Sequence, residues 1–243
     1  MSVPSEWNEI VLTIIMPCYN EEETVEECVR RLRDVPLEIE VIAVNDASKD
    51  RTAEILDRLK EAGELHQVIH QPENRGKGAA VRAGIEAATG HVIVVQDADL
   101  EYDPNELPQL LDPIRLDKAD AVYGSRFHPG PRRVLYFWHS VGNRLLTLLS
   151  NMLTDLNLTD METCYKMVRA DVIKSLPLVS NRFGIEVELT ARLAKAQVRI
   201  WEMPVSYDGR TYAEGKKIGW RDGMAALWHV LRFNLFTSKP RNK

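Results

Sequence analysis

The stretch Val92-Ile93-Val94-Val95-Gln96-Asp97-Ala98-Asp99 limits the available folds more than any other. Four apolar residues in succession read as a strand buried on both faces, which needs a sheet covered by helices on each side. The strand then runs into two carboxylates one residue apart. At the carboxyl end of a sheet strand such a pair can hold a hard divalent cation, Mg2+ or Mn2+. These ions take oxygen ligands and share their coordination sphere with substrate phosphates. The same residues also fit a polar turn after a strand, because Asp is common in turns.

The flanking chain alternates strand and helix. Residues 11–16 read as a strand that Pro17 ends, since proline lacks a ladder donor. A helix over 22–33 follows, with Val25, Val29 and Leu32 on its inner face. A second strand spans 39–44, and Ser48 or Asp50 can cap the helix behind it. Residues 66–70 read as a short strand. Asn74-Arg75-Gly76-Lys77-Gly78 then opens a helix that runs to about residue 88. Asp103-Pro104-Asn105-Glu106 has the pattern of a capped helix start, and 119–124 reads as a further strand before Ser125-Arg126-Phe127. This order predicts an α/β fold, a mostly parallel Rossmann-like sheet with helices on both faces. Ligands of such sheets bind outside the strand carboxyl ends, where these loops lie.

The second half differs. It reads as a Leu-rich helix over 136–153, an irregular acidic segment over 158–169, a helix over 183–196, a strand over 198–205 and a polar loop over 209–215. An amphipathic helix over 218–236 carries Trp220, Leu227, Trp228 and Leu231. A length of 243 residues suits a single domain with two halves, 1–125 and 126–243. A hydrophobic content of 44% with 28% charge is that of a soluble globular chain. The net charge of −5 argues against general nucleic-acid binding. Cys18, Cys28 and Cys164 are odd in number and lack metal-ligand spacing, which points to a reducing compartment and packing roles. Residues 1–9 lack a secretory pattern. No apolar run reaches the roughly 18 residues of a spanning helix.

Three loops carry candidate chemistry. Asp46 ends one strand as Asp97 ends another, and it can accept hydrogen bonds from a nucleoside or serve as a turn residue. Tyr19 can stack on a base or pack in the core. Arg75-Gly76-Lys77-Gly78 is similar to a phosphate-cradling turn, its glycines admitting close approach at a helix N-terminus. It lacks the full P-loop pattern, and a plain helix start with solvated charges fits it equally well.

Ile15-Met16-Pro17-Cys18-Tyr19-Asn20-Glu21-Glu22, Val44-Asn45-Asp46-Ala47-Ser48-Lys49-Asp50, Asn74-Arg75-Gly76-Lys77-Gly78 and Gln96-Asp97-Ala98-Asp99-Leu100 stand in this order. Together they resemble family 2 glycosyltransferases of the GT-A fold, and more closely the dolichyl- or polyprenyl-phosphate hexosyltransferases, over about residues 11–210. The resemblance implies a nucleotide-sugar donor, with a UDP-sugar favoured and GDP-mannose an alternative. It implies that Pro17, Tyr19, Glu21 and Asp46 hold the nucleoside and that Lys77 lies near the donor. Asp97, Ala98 and Asp99 would meet the diphosphate, the two acids binding Mg2+ or Mn2+. Inverting transfer is expected.

On the acceptor side, Arg126 resembles the residue that meets the acceptor phosphate. Arg132, Arg133, Arg210, Lys216 and Lys217 are further candidates for an anion clamp, since arginine forks suit phosphate. Solvated surface charge is the alternative for Arg132 and Lys217. A phosphate acceptor is already ionised, whereas a hydroxyl acceptor needs a base, which Asp160 or Glu162 could supply. Either acid could instead orient Arg126 or Lys166. The expected location is cytoplasmic, with peripheral contact at the inner membrane face. The helices near Leu145, Leu146, Leu148 and Leu149 and at the C-terminus could lie in the interface, or pack in the core or a homodimer. The alternatives are a soluble transferase acting on a glycan or small-molecule hydroxyl and a non-catalytic nucleotide-sugar-binding protein. A nucleotidyltransferase would want a Gly-rich, Arg-containing loop where Pro17-Cys18-Tyr19-Asn20-Glu21 stands.

Overall fold

Seven strands among the described residues form one sheet in the order β3-β2-β1-β4-β6-β5-β7. They are β1 (Leu12–Cys18), β2 (Ile39–Asn45), β3 (Gln67–His70), β4 (Val92–Val95), β5 (Ala121–Ser125), β6 (Lys166–Arg169) and β7 (Ile200–Pro204). The computed structural model describes residues 10–128, 133–134, 136–211 and 220–237, with side chains from residue 223 in the last stretch. Every neighbouring pair of strands is parallel except those made by β6, which runs antiparallel to β4 and β5.

The helices are α1 (Val25–Arg33), α2 (Thr52–Glu61), α3 (Lys77–Ala87), α4 (Leu107–Arg115), α5 (Phe137–Thr154), α6 (Ala170–Ser175), α7 (Gly184–Lys195) and α8 (Trp220–Leu235). Both faces of the central strands are sealed. Leu12, Ile14, Ile15 and Met16 of β1 and Val92, Ile93 and Val94 of β4 are fully buried. Two consecutive buried residues on a strand point to opposite faces, so helices must cover both.

Pro17 does not end β1, which continues to Cys18 with Pro17 opposite Val44. Residues of β1 alternate in the neighbour they bond. Leu12 N–H donates to Glu38 in front of β2, and Ile15 C=O accepts from Gln96 N–H just past β4. Pro17 therefore faces the β4 side, beyond the last residue of that strand, and its missing N–H costs no ladder bond. The segment over 158–169 is not wholly irregular either. Its last four residues form β6, inserted between β4 and β5.

Caps follow the predicted residues with one change. Asp50 Oδ1 accepts from Thr52 N–H at 3.0 Å at the start of α2. Ser48 Oγ instead accepts from Asn20 N–H, tying the loop after β1 to that after β2. Asp103 caps the turn before α4 by accepting from Asn105 N–H. Glu106 does not close a capping box. It turns away to accept from Ser206 N–H.

The C-terminal half adds a helical layer. Leu146, Leu149 and Leu153 of α5 pack on a small core of Met161, Val187 and Val230, which joins α5, α7 and α8. Helix α7 is buried over residues 184–193 on all sides, charged Glu186, Glu188 and Arg192 included.

Candidate active site

β1 lies between β2 and β4 with all three parallel, so their carboxyl ends open on the same edge. This brings together Tyr19 to Glu21, Asp46, and Asp97 to Asp99. Each of the three loops turns through one non-glycine residue in the left-handed region: Asn20 (φ 54°), Ala47 (φ 55°) and Leu100 (φ 64°). Backbone strain of this kind persists where surrounding bonds over-determine a loop, and it gathers at functional sites. Here the bonds are visible. Glu21 N–H donates to Thr52 Oγ1 (2.9 Å), Glu22 N–H to Asp50 Oδ2 (3.1 Å) and Lys49 N–H to Asn20 Oδ1 (2.8 Å). Pro17 and Tyr19 are half-buried at this edge.

Asp46 is buried, and both its carboxylate oxygens are engaged. Arg75 N–H donates to Oδ1 at 2.8 Å and Gly76 N–H to Oδ2 at 2.7 Å. The acid thus holds the turn that opens α3. The glycines of that turn serve a different approach from the predicted one. A Cβ on Gly76 would lie 2.6 Å from the Asn181 carbonyl oxygen, and one on Gly78 would strike the Ser180 carbonyl oxygen. The close partner is the 180–182 backbone, and Asn181 C=O accepts from Ala79 N–H. The close approach these glycines allow is therefore that of the 180–182 backbone, and the Gly76 N–H is already taken by Asp46.

Lys77 reaches the paired acids. Its Nζ lies 2.8 Å from Asp97 Oδ1, 2.8 Å from Glu186 Oε1 and 3.6 Å from Cys164 Sγ. Burial works against the ammonium, but the surrounding negative groups, Asp97 foremost, hold its pKa well above the ordinary value. Asp99 has a different cation beside it. Burial, with Asp97 and Glu101 adding repulsion, pushes its carboxyl up to about 7. Arg210 Nη2 stands 3.2 Å from Asp99 Oδ2, its Nε 3.2 Å from Glu101 Oε1 and its Nη1 3.7 Å from Glu21 Oε2. Arg210 thus pairs with the carboxylates at the end of β4, and Glu101, which also accepts from Tyr207 Oη at 2.6 Å, links it to the ring beneath Arg126. Lys216, Lys217 and Arg132 lie outside the described residues, while Arg133 pairs with Asp208 at 3.3 Å.

Asp97, Asp99, Glu101 and Glu21 outnumber the cations beside them, Lys77 and Arg210. Among the described residues no three His, Cys, Asp or Glu side chains are grouped to hold a metal. Two neighbouring carboxylates with spare negative charge fit an ion that takes its remaining ligands from phosphate and water, as Mg2+ does.

Arg126 follows β5. Its Nε donates to Asp160 Oδ2 at 2.6 Å and its Nη2 to Oδ1 at 2.8 Å. Asp160 is fully buried, whereas the Arg126 side chain is 17% exposed. The guanidinium also lies 5.1 Å from the Tyr207 ring. Of the two roles open to Asp160, its contacts are those of a residue that orients Arg126. Glu162 is different. Its Oε1 is buried without a hydrogen-bond partner. Burial, with Glu186 and Asp160 adding, raises its carboxyl to about 7 against the pull of Lys166 and Arg126. Lys166 is buried too, donates to Thr163 C=O at 2.7 Å, and is lowered to about 8 by burial.

Glu186 was not among the residues singled out from the sequence. Its signal was there: an acid within a helix whose neighbours Ile185, Val187 and Leu189 are all apolar.

Residues 13–176 match the family described as Glycosyl transferase family 2. The chain is 35% identical over 246 residues to an undecaprenyl-phosphate mannosyltransferase of Micrococcus luteus, covering 93% of this chain and 98% of that one. It is 28% identical over 214 residues to a polyprenol monophosphomannose synthase of Mycolicibacterium smegmatis, covering 85% and 80%. Among solved structures, glucosyl-3-phosphoglycerate synthase of Mycobacterium tuberculosis, crystallised with Mn2+, UDP and glucosyl-3-phosphoglycerate, superimposes with a TM-score of 0.72. That match has 19% identity and covers 94% of this chain and 81% of that one.

Proposed function

The chain belongs to glycosyl transferase family 2, and from that premise we propose that it moves a hexose from a nucleotide sugar to a polyprenyl phosphate with inversion. The observation that carries this is the pairing of two charged stations at one sheet edge. Asp97 and Asp99 form an anionic station after β4, and the Arg126 guanidinium, locked by Asp160, forms a cationic station after β5.

In this reading Pro17, Tyr19 and Glu21 border the nucleoside, and Asp46 fixes the turn beside it. Asp97 and Asp99 hold Mg2+ or Mn2+. When bound, that cation offsets the charge developing on the leaving diphosphate. Lys77 stands beside Asp97 on the donor side. Arg126 grips the acceptor phosphate through its planar fork. A phosphate oxygen of the acceptor attacks the anomeric carbon as the bond to the diphosphate breaks. That oxygen is ionised at neutral pH, so no base is required. The names of the two relatives above support a lipid-phosphate acceptor and mannose as the hexose. Of the two donors the resemblance implies, a UDP-sugar and GDP-mannose, mannose as the hexose favours GDP-mannose. An acceptor of this kind places the protein at a membrane surface.

A second reading is favoured by Glu162, whose carboxyl near 7 suits proton transfer. For a hydroxyl acceptor it would be the base. A screen of nucleotide sugars with Mg2+ and Mn2+, with and without a short polyprenyl phosphate, tests the choice. Transfer to the lipid phosphate from one donor supports the first reading. Transfer only to hydroxyl acceptors supports the second. Donor binding without any turnover contradicts both.

A further inference from the structure

Helix α5 has two apolar faces, and only one of them is used. Leu146, Leu149 and Leu153 turn inward onto the Met161, Val187 and Val230 core. On the far side Phe137, Trp138, Val141, Leu145, Leu148 and Met152 are exposed, Trp138 by 78% and Leu145 by 62%. At 3.6 residues per turn these six fall within an arc of about 100°. Helix α8 packs beside α5 and repeats the arrangement. Val230 and Phe233 are buried, whereas Met224, Trp228 and Leu235 are exposed. The buried faces of both helices meet in one core with Met161 and Val187, and each helix leaves an outer apolar stripe uncovered.

We propose that this α5–α8 face docks on an anionic bilayer surface and presents the lipid-borne acceptor to Arg126. The inference rests on the lipid-phosphate reading for its purpose, while the docking itself is tested separately. Three observations favour a bilayer over a second copy or another protein. The first is size. Phe137 and Trp138, whose ring centroids lie 5.2 Å apart, alone leave about 300 Å2 in water, taking about 200 Å2 for each ring. Leu145, Leu148 and Met152 extend the stripe along α5, and monomers rarely expose contiguous patches beyond a few hundred Å2.

The second is charge. The chain carries 36 acids, yet residues 128–154 contain none, and they carry Arg132, Arg133 and Arg144. An acid-free, basic and aromatic stretch complements anionic headgroups. In a two-fold dimer through this face the basic stretch would meet its own copy, and like charges would oppose the pairing. The third is continuity with the site. Arg144 of α5 stacks 5.9 Å from the Phe127 ring, next to Arg126. No described helix is long and apolar enough to cross a membrane. The stripe therefore lies along the surface, with its rings sunk about 5–10 Å at the headgroup boundary.

The test is co-sedimentation with phosphatidylcholine vesicles and with vesicles containing 30% phosphatidylglycerol, both free of polyprenyl phosphate. The wild type and a Trp138→Gln/Leu145→Gln variant are compared. The wild type should sediment with the anionic vesicles, and the variant should lose at least about tenfold in partitioning. The variant's melting temperature and its transfer to a short water-soluble prenyl phosphate should stay unchanged, while transfer to a long-chain polyprenyl phosphate in vesicles falls in parallel. Equal partitioning of the two proteins overturns the inference, as does a wild type that ignores both vesicles. So does a wild-type dimer that the substitutions split without any vesicle binding. Wild-type vesicle binding lost in the variant, with no transfer to either prenyl phosphate, upholds the docking and removes the lipid-phosphate reading instead.

Discussion

Replacing Asp160 by Asn probes Arg126, the proposed acceptor station, through the carboxylate that holds its fork. Asp160 is fully buried, and its two oxygens accept the Arg126 fork at 2.6 and 2.8 Å. Removing one partner of a buried pair outright costs about 3–5 kcal/mol. Asn keeps the shape and one neutral acceptor, and Arg126 retains some contact with water, so the loss should be nearer 2 kcal/mol. In a chain of this length that is a fall of about 4 °C in melting temperature. The assay is a double-mutant cycle of Asp160→Asn with Arg126→Lys, read by thermal melts and by transfer kinetics. Lysine keeps the charge but cannot form the fork, so the two changes remove the same interaction. The double variant should then be no worse than the poorer single one, with a coupling of about 2 kcal/mol. The kinetic change should fall on the acceptor KM and leave the donor KM alone. Additive effects within about 0.5 kcal/mol would refute the orienting role. A collapse of kcat with Arg126→Lys unaffected would instead mark Asp160 as a base.

Three further outcomes follow from the geometry. Glu162 is held at about 7 instead of 4.5, so between these values the folded chain binds more protons than the unfolded one. The stability this lends is full below 4.5 and is lost as pH rises through 7. Glu162→Gln should therefore stabilise by up to about 3 kcal/mol at pH 8 and hardly at all at pH 4.5, and equal melts at pH 8 would contradict it. Gly76→Ala should cost about 3 kcal/mol, because Gly76 sits at φ 92° with its Cβ position 2.6 Å from Asn181 O, and an unchanged melt would refute that packing. Chelation with EDTA should abolish transfer, and added Mn2+ or Mg2+ should restore it, whereas full activity in EDTA would remove the cation from the account.

Much of the N-terminal half was legible because its signals are local. β4 is four apolar residues followed by two acids, and both halves of that statement survive in three dimensions. The misreadings share a cause, which is that a residue type announces a need without naming the partner. Pro17 announced a missing donor, but not that its N–H side would face beyond the end of β4. Gly76 and Gly78 announced a close approach, but what approaches is the 180–182 backbone, a hundred residues away. β6 is four residues long, with charged residues at both ends, and it exists only because β4 and β5 offer edges on either side. Glu186 gained its place at Lys77 from the packing of α7, which no window of sequence contains. The exposure of Leu145 and Leu148 beside the half-buried Leu146 and Leu149 was equally hidden, since periodicity gives faces but not what covers them.

The central claim is that Asp97 and Asp99 together hold the cation against the diphosphate of the donor. Its most direct test is transfer by an Asp97→Asn/Asp99→Asn double variant at saturating Mn2+, with folding verified by its melt. The account predicts a loss of at least about a thousandfold in kcat. Turnover within tenfold of the wild type would contradict it.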